Sequence, residues 1–84
     1  MGKFEKVIQR VLSGKSDANI PFDDLRLLLK RLGFEERIHG SHHSFRKEGV
    51  QAILTLQPQG NKAKPYQVRQ VREIILEYGL GGKS

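Results

Sequence analysis

The sequence predicts an α+β fold whose elements follow the order α-α-β-β-β-α. Two segments with apolar residues at helical spacing come first, a run of strand-like sequence follows, and a third helical segment ends the chain. The simplest architecture for this order is a three-stranded antiparallel meander with the helices packed on one face. The other face of the sheet then stays open to solvent.

The first two helices are defined by their apolar stripes and by the glycines that follow them. Phe4, Val7, Ile8, Val11 and Leu12 make the first stripe, and Phe22, Leu25, Leu28, Leu29 and Leu32 make the second. Gly14 and Gly33 end the two helices, because glycine adopts the left-handed conformation of a helix C-terminus without strain. The second helix is predicted to begin around Pro21, after a polar connector over residues 15–19.

Three strands are predicted in the middle of the chain, over residues 34–38, 42–46 and 50–56. Gly40-Ser41 is expected to form a tight turn or bulge between the first two strands. Residues 47–49 contain a glycine and are expected to form a hairpin connection before the third strand, which is the strongest of the three.

The last third of the chain is predicted to be a loop followed by a helix. Pro58 ends the third strand, and residues 59–64 form a polar, basic loop. Pro65 opens the last helix, whose buried stripe consists of Val68, Val71, Ile74, Ile75 and Tyr78. Gly79 ends this helix, and residues 81–84 are expected to form a flexible tail.

The amino-acid composition of the chain favours some kinds of binding partner over others. The chain has 84 residues, which is the length of one domain, and 15 Lys and Arg against 9 Asp and Glu give it a net charge of +6. This balance favours a polyanionic partner, either nucleic acid or an acidic protein. The absence of cysteine excludes a disulfide framework and is compatible with the cytoplasm. No segment predicts a secretory signal or a membrane anchor.

All three histidines of the chain fall within five residues: His39, His42 and His43. Histidine gives and takes a proton near neutral pH, and the surrounding basic residues suggest proton transfer beside a phosphate. Side chains alternate along a strand, so His43 shares the core-facing side if Phe45 points into the core. His42 then faces outward with Ser44 and Arg46. His42 is a candidate base, although a solvated strand residue fits the same pattern, and His43 is expected to be a partly buried neighbour that orients it.

Other chemistries fit the histidine cluster less well. On strands, His39 and His42 point to opposite faces unless the Gly40 turn intervenes, and zinc needs three or four convergent ligands. No metal site is therefore predicted. Ser41 and His42 face opposite ways as strand neighbours, and no third member of a triad stands out, so serine-hydrolase chemistry is not expected.

Basic residues are concentrated in the hairpin, the final loop and the last helix. Five of them are candidate phosphate-binding residues: Arg37, Arg46, Lys47, Lys62 and Lys64. Such side chains hold RNA phosphates and stabilise charge developing on a phosphoryl oxygen, but they are also common on surfaces that have no such role. Lys64 and Pro65 lie at a helix N-terminus, where backbone N–H groups also receive phosphate.

Five motifs follow one another in the sequence: Phe22-Asp23-Asp24-Leu25, Leu32-Gly33-Phe34, Gly40-Ser41-His42-His43-x-Phe45-Arg46, Leu54-x-Leu56-Gln57-Pro58 and Lys62-Ala63-Lys64-Pro65-Tyr66-Gln67-Val68-Arg69-Gln70. In this order they resemble the HicA toxin family, whose members are small mRNA interferases of type II toxin–antitoxin systems. The expected organisation is one domain over residues 1–84, with a family core at 19–80 and an additional N-terminal helix at 1–14.

The resemblance implies a fold like that of the double-stranded RNA-binding domain. The single catalytic histidine of the family follows Gly-Ser, which gives that role to His42, with Gly40, Ser41 and His43 as supporting residues. The resemblance further implies mRNA as the substrate, no cofactor, and a HicB-type antitoxin that binds the toxin and blocks its active site. Two positions are less typical of the family: Ser44, where a larger apolar residue is common, and Thr55, where Asn is often seen.

The function predicted on this basis is a metal-independent endoribonuclease that acts on mRNA. His42 would act as base toward the ribose 2′-OH, as acid toward the leaving 5′-oxygen, or as both in turn. The second proton-transfer group stays open among His43, Lys64 and water. Two alternatives remain: a non-catalytic module of the double-stranded RNA-binding type, and an interaction protein whose basic surface holds an acidic antitoxin.

Overall fold

The elements of the computed structural model, which describes residues 2–80, confirm the predicted order α-α-β-β-β-α. The helices are α1 (Lys3–Ser13), α2 (Phe22–Arg31) and α3 (Pro65–Tyr78). The strands of the main sheet are β1 (Glu35–His39), β2 (His42–Lys47) and β3 (Val50–Leu56), and a small second sheet contains β4 (Pro58–Gln59) and β5 (Lys62–Ala63). The expected tail over residues 81–84 lies outside the described residues.

The helix boundaries follow the predicted signals closely. Gly14 takes a φ of 73° and ends α1 in the left-handed conformation. Pro21 is the N-cap of α2 with an extended backbone, so the helix begins one residue later than its proline suggested. A short 3₁₀ turn, Asp17–Asn19, replaces part of the connector that was expected to be irregular. In the described part of the chain, no helix is long and apolar enough to cross a membrane.

The main sheet is antiparallel with the strand order β1-β2-β3. Directly opposed residues share a face, and the pairs Glu36–Phe45 and His43–Leu56 therefore put these four side chains on the side of the core. The ladder is irregular between Phe45 and Lys47, where a single β2 residue lies opposite three β3 residues. Next to the histidines the register is regular, with His43 opposite Leu56 and Phe45 opposite Leu54.

The segment predicted as a polar, basic loop over residues 59–64 contains a short hairpin. Pro58 pairs with Ala63, and Gln59 pairs with Lys62, so this segment is a hairpin. It is fastened to the start of α2, because the Phe22 amide donates to the Asn61 carbonyl at 2.9 Å. Strands of two residues are too short to show alternation, which is why the sequence pattern did not reveal them.

The core lies between the sheet and the helices, with α1 packed on both α2 and α3 and with α3 packed on β3. Its fully buried side chains include Val11, Leu25, Leu28, Leu29, Phe45, Leu56, Val68 and Val71. Gln67 is a polar residue buried in this core, and its Oε1 accepts from the Gln57 amide at 3.3 Å. The three helices thus lie on one side, and no element of residues 2–80 covers the opposite face of the sheet.

Candidate active site and nucleic-acid interface

The turn between β1 and β2 positions the histidines. Gly40 takes a φ of 60°, and a Cβ at this position would have no heavy atom within 4 Å. Glycine is therefore favoured here by the backbone conformation and not by lack of space. Ser41 is the second turn residue, and its Oγ accepts from Gln57 Nε2 at 3.2 Å, which ties the turn to the end of β3.

His42 is the first residue of β2 and is exposed on the open face of the sheet. This is the face that side-chain alternation predicted for it, opposite to that of His43. Within residues 2–80 the His42 ring makes no hydrogen bond and no ion pair, either with Ser41 or with any other side chain. Its two ring nitrogens are consequently available to an external group.

His39 is brought to the same face as His42. The two residues flank the turn and are directly opposed in the β1–β2 register. The sequence expectation separated them onto opposite faces unless the Gly40 turn intervened, and the turn does intervene. Opposed residues in an antiparallel pair have Cβ atoms about 4.5–5.5 Å apart. Both histidines are exposed, so the open face carries two neighbouring imidazoles at one end of the sheet.

His43 points to the other side of the sheet, where its side chain is 12% exposed. Its Nδ1 lies 2.7 Å from Oε2 of Glu36, whose side chain is 5% exposed. The His43 ring also meets the ring of Phe22 edge-on, with the centroids 4.9 Å apart at an angle of 73°. His43 is therefore held in a fixed orientation between the sheet and α2.

Glu36 is the centre of a charged network that connects the sheet to α2. Arg26 donates two hydrogen bonds to it, from Nε to Oε2 at 2.7 Å and from Nη2 to Oε1 at 3.1 Å. The hydrogen bonds from Arg26 and then from His43, together with the charges of Arg26 and Lys30, lower the pKa of Glu36 from 4.5 to about 2, against the effect of its burial. The carboxylate is ionised at neutral pH and can only accept, so His43 Nδ1 carries the proton of this hydrogen bond.

Neither Glu36 nor Arg26 was predicted from the sequence to belong to such a network. One signal was present in the sequence. Glu36 lies two residues from both Phe34 and Ile38 in the first predicted strand, and side chains two residues apart share a face, so an acidic residue is placed on the apolar side. The partner on α2 carried no comparable signal, because ten residues and a change of secondary structure separate Arg26 from Glu36.

The candidate phosphate-binding residues are distributed along the sheet and the following hairpin. Arg37 lies opposite Ser44 on the open face, and Arg46 is exposed on that same face four residues beyond His42. Lys47 is half-buried at the far end of β2, and a Cβ on Gly33 would lie 2.6 Å from its Nζ. The structure therefore brings Arg37 close to the histidine pair and leaves Lys47 apart from it.

The two remaining basic candidates lie after β3. Lys62 is exposed on β5, and its Nζ donates to Asn19 Oδ1 at 3.3 Å. Lys64 is the half-buried N-cap residue of α3. The hairpin that contains Lys62 begins two residues after Leu56, which is opposite His43, so both lysines follow the end of the sheet at which the histidines lie.

A metal site needs several donor side chains close together. Across residues 2–80, no group of three or more His, Asp or Glu side chains lies close enough together to hold a metal ion. His39 and His42 supply two nitrogen ligands, and zinc sites in proteins use three or four.

The fold and this site define a small basic α+β domain with an open sheet face and exposed histidines beside a glycine turn. A family model described as the HicA toxin of bacterial toxin–antitoxin systems matches residues 22–77, which is more than half of the chain. The chain therefore belongs to the HicA toxin family, and it is a toxin of a toxin–antitoxin system. Helix α1 lies outside the matched segment. Searches of curated proteins and of solved structures gave no match.

Proposed function

We propose that this toxin is a metal-independent endoribonuclease that cleaves mRNA, with His42 as a proton-transfer group. The observation that carries the proposal is the exposed His42 ring, free of internal partners, on the open face of a basic member of the HicA family. His42 stands two residues after the left-handed Gly40, at the first position of β2, where the turn presents it on the open face. The cytoplasm is the compartment in which such an enzyme meets mRNA.

The mechanism needs a proton taken from the ribose 2′-OH and a proton given to the leaving 5′-oxygen. An imidazole does either near neutral pH, because its unperturbed pKa is about 6.5. His42 can reach a substrate on the open face without rearranging the protein, since nothing in residues 2–80 covers its ring. Gly40 and Ser41 support the site by holding the turn that presents His42.

The phosphates would be held by the basic residues around the histidines. Arg37 and Arg46 share the open face with His42 and offset the negative charge that develops on a phosphoryl oxygen. Lys62 and Lys64 would contact the strand where it passes the end of the sheet, and Lys47 would contact it farther from the cleavage point. These side chains would supply charge and position for the phosphates.

A HicB-type antitoxin is the proposed protein partner. Membership of a toxin–antitoxin family implies an antitoxin, and the open face offers it the same exposed surface that RNA would use. An antitoxin bound there would block access to His42. RNA and antitoxin would then compete for one surface, which requires no conformational switch.

The test compares the wild type with His42→Ala, both in cells and as purified protein. Induction of the wild type should arrest growth, and the purified protein should generate new RNA ends in the presence of EDTA. His42→Ala should lose both effects while keeping its thermal unfolding midpoint, and the exposed Gln70→Ala on α3 should retain both. RNA binding without new ends from the wild type would favour the non-catalytic module. A fully toxic His42→Ala would refute the role of His42.

A further inference from the structure

The mechanism proposed above leaves its second proton-transfer group unassigned, and the register of the β1–β2 hairpin points to one. We propose that His39 is the general acid that pairs with His42 as the general base. The inference rests on the proposed function and adds to it a second catalytic residue from the neighbouring strand. It follows from the β1–β2 pairing, in which these two residues face each other across the turn.

The distance between the two strands suits a shared phosphate. Cβ atoms of directly opposed residues lie about 4.5–5.5 Å apart on one face of the sheet. Two imidazole rings that diverge slightly from such positions leave room for one phosphate group between their outer nitrogens. Because β1 is an edge strand and the turn is short, no element of residues 2–80 covers the approach to the pair from the open face.

The other candidates fit less well. His43 lies on the opposite face, and its Nδ1 is engaged by Glu36, so it does not reach a phosphate that contacts His42. Lys64 is a half-buried N-cap residue of α3, on a different element from the turn. His39 is exposed, and within the described part of the chain its ring has no hydrogen bond and no ion pair.

The groups that face His39 are few. Arg37 is two residues away on the same face of β1, Ser44 is opposite Arg37, and His42 is opposite His39 itself. Glu35 and Arg46 lie opposite each other on the same face, at the other end of the β1–β2 pair. Within the described part of the chain, no helix packs on this side of the sheet. A guanidinium keeps its charge at every working pH, so Arg37 contributes a constant field and leaves the proton transfers to the two histidines.

The reaction balances with these two residues alone. Neutral His42 takes the 2′-OH proton as the 2′-oxygen forms a bond to phosphorus. The bond from phosphorus to the 5′-oxygen breaks, and protonated His39 gives its proton to that oxygen. The products are a 2′,3′-cyclic phosphate and a 5′-hydroxyl, and the protein ends with the proton moved from His39 to His42. No water, metal or redox partner enters this step.

The first measurement is the rate of RNA cleavage by His39→Ala and His39→Gln against pH. General acid–base groups contribute about 10²–10⁴-fold to a rate, so kcat should fall by at least about 100-fold. The wild-type profile should be bell-shaped, because the base must be neutral and the acid protonated. Loss of the acid should remove the fall in rate at high pH, which a purely structural residue would not do.

The second measurement uses RNA with a sulfur atom in place of the 5′-bridging oxygen at the cleavage point. A thiolate leaves without a proton donor, because thiols have a pKa of about 8.5. This substrate should restore most of the rate lost in His39→Ala and little of the rate lost in His42→Ala. Glu35→Gln, on the same face of β1, is the matched control and should keep the wild-type rate within about twofold.

Several outcomes overturn the inference. A His39→Ala protein that cleaves ordinary RNA at the wild-type rate would exclude a catalytic role, and so would a defect that the sulfur substrate does not relieve. Unchanged thermal unfolding of His39→Ala, expected for an exposed edge residue, separates catalysis from folding. If the wild type cleaves no RNA, the proposed function itself fails. If the wild type cleaves and the His39 variants match it, only this inference fails.

Discussion

Glu36 on β1 and His43 on β2 meet diagonally across the inner face of the sheet, with 2.7 Å between Oε2 and Nδ1. The same carboxylate accepts two hydrogen bonds from Arg26, so one buried acid joins two strands and helix α2. The burial of such a charge costs free energy unless its oxygens are hydrogen-bonded, and here each of them is. This network fixes the strand that carries both His42 and His43.

The network predicts a loss of stability in acid. The pKa of Glu36 is lowered from 4.5 to about 2 in the folded protein, so the unfolded state binds more protons between these values. The stabilisation is complete above about pH 4.5 and is lost as the pH falls toward 2. At 1.36 kcal/mol per pKa unit, it amounts to at most about 3 kcal/mol of the free energy of unfolding. Urea unfolding at pH 7, 4 and 3 measures it.

Glu36→Gln is the variant that checks whether Glu36 causes the loss of stability in acid. Its free energy of unfolding at pH 7 should be lower than that of the wild type, because Arg26 loses its buried counter-charge. Between pH 4.5 and 3 its stability should change less than that of the wild type. Glu77→Gln, an exposed change on α3, should keep the wild-type dependence. Parallel pH profiles for the wild type and Glu36→Gln would show that other groups cause the acid sensitivity.

The fold was largely predictable, because its signals are local. Apolar spacing and glycine stops gave the three helices, and alternation gave the opposite orientations of His42 and His43. The pairing of His39 with His42, in contrast, did not follow from such local signals. Linear alternation separates residues three apart, and only the two-residue turn reverses the chain so that they share a face. The number of residues in the turn decides whether His39 and His42 share a face. The sequence did not show whether Gly40-Ser41 forms a turn or a bulge.

Contacts between distant segments were the least predictable. Glu36 finds Arg26 on a helix, and Phe22 hydrogen-bonds to Asn61 in the small hairpin. Neither partner is marked by periodicity, since each contact depends on how α2 packs against the sheet. The phosphate-binding candidates have the same limitation, because charge in the sequence does not separate exposed Arg46 from half-buried Lys47.

A second stability prediction concerns the attachment of α1. Arg72 on α3 donates from Nη1 and Nη2 to the two carboxylate oxygens of Asp17, at 3.0 and 3.2 Å, and from Nη1 to the Val11 carbonyl at 3.0 Å. Arg72→Met keeps much of the aliphatic stem and should cost about 1–3 kcal/mol in the free energy of unfolding, since partly buried acceptors lose their donor. Urea unfolding measures it. Arg69→Met, on the exposed side of α3, should stay within about 0.5 kcal/mol, and equal losses in both variants would contradict the role of the ion pair.

The open face also predicts a salt dependence for RNA binding. In a His42→Ala background that leaves RNA intact, Arg37→Gln and Arg46→Gln should each weaken binding to single-stranded RNA. The logarithm of the association constant falls as the logarithm of the salt concentration rises. Each substitution should make this slope shallower by about 0.7, the value for one phosphate contact on a single strand. Lys6→Gln, an exposed change on α1, should leave the slope unaltered. Equal slopes for all these proteins would place the RNA on another surface.

The last prediction concerns metal ions. His39 and His42 provide two nitrogen donors on the open face, and within residues 2–80 no third His, Asp or Glu side chain completes a metal-binding group with them. The proton-transfer mechanism proposed for this pair uses no divalent ion. Cleavage rates measured by the appearance of new RNA ends should be unchanged after dialysis against EDTA. A rate that falls in EDTA and returns with one particular divalent ion would replace the histidine mechanism with a metal-dependent one, because neither imidazole could then account for the activation of the 2′-OH.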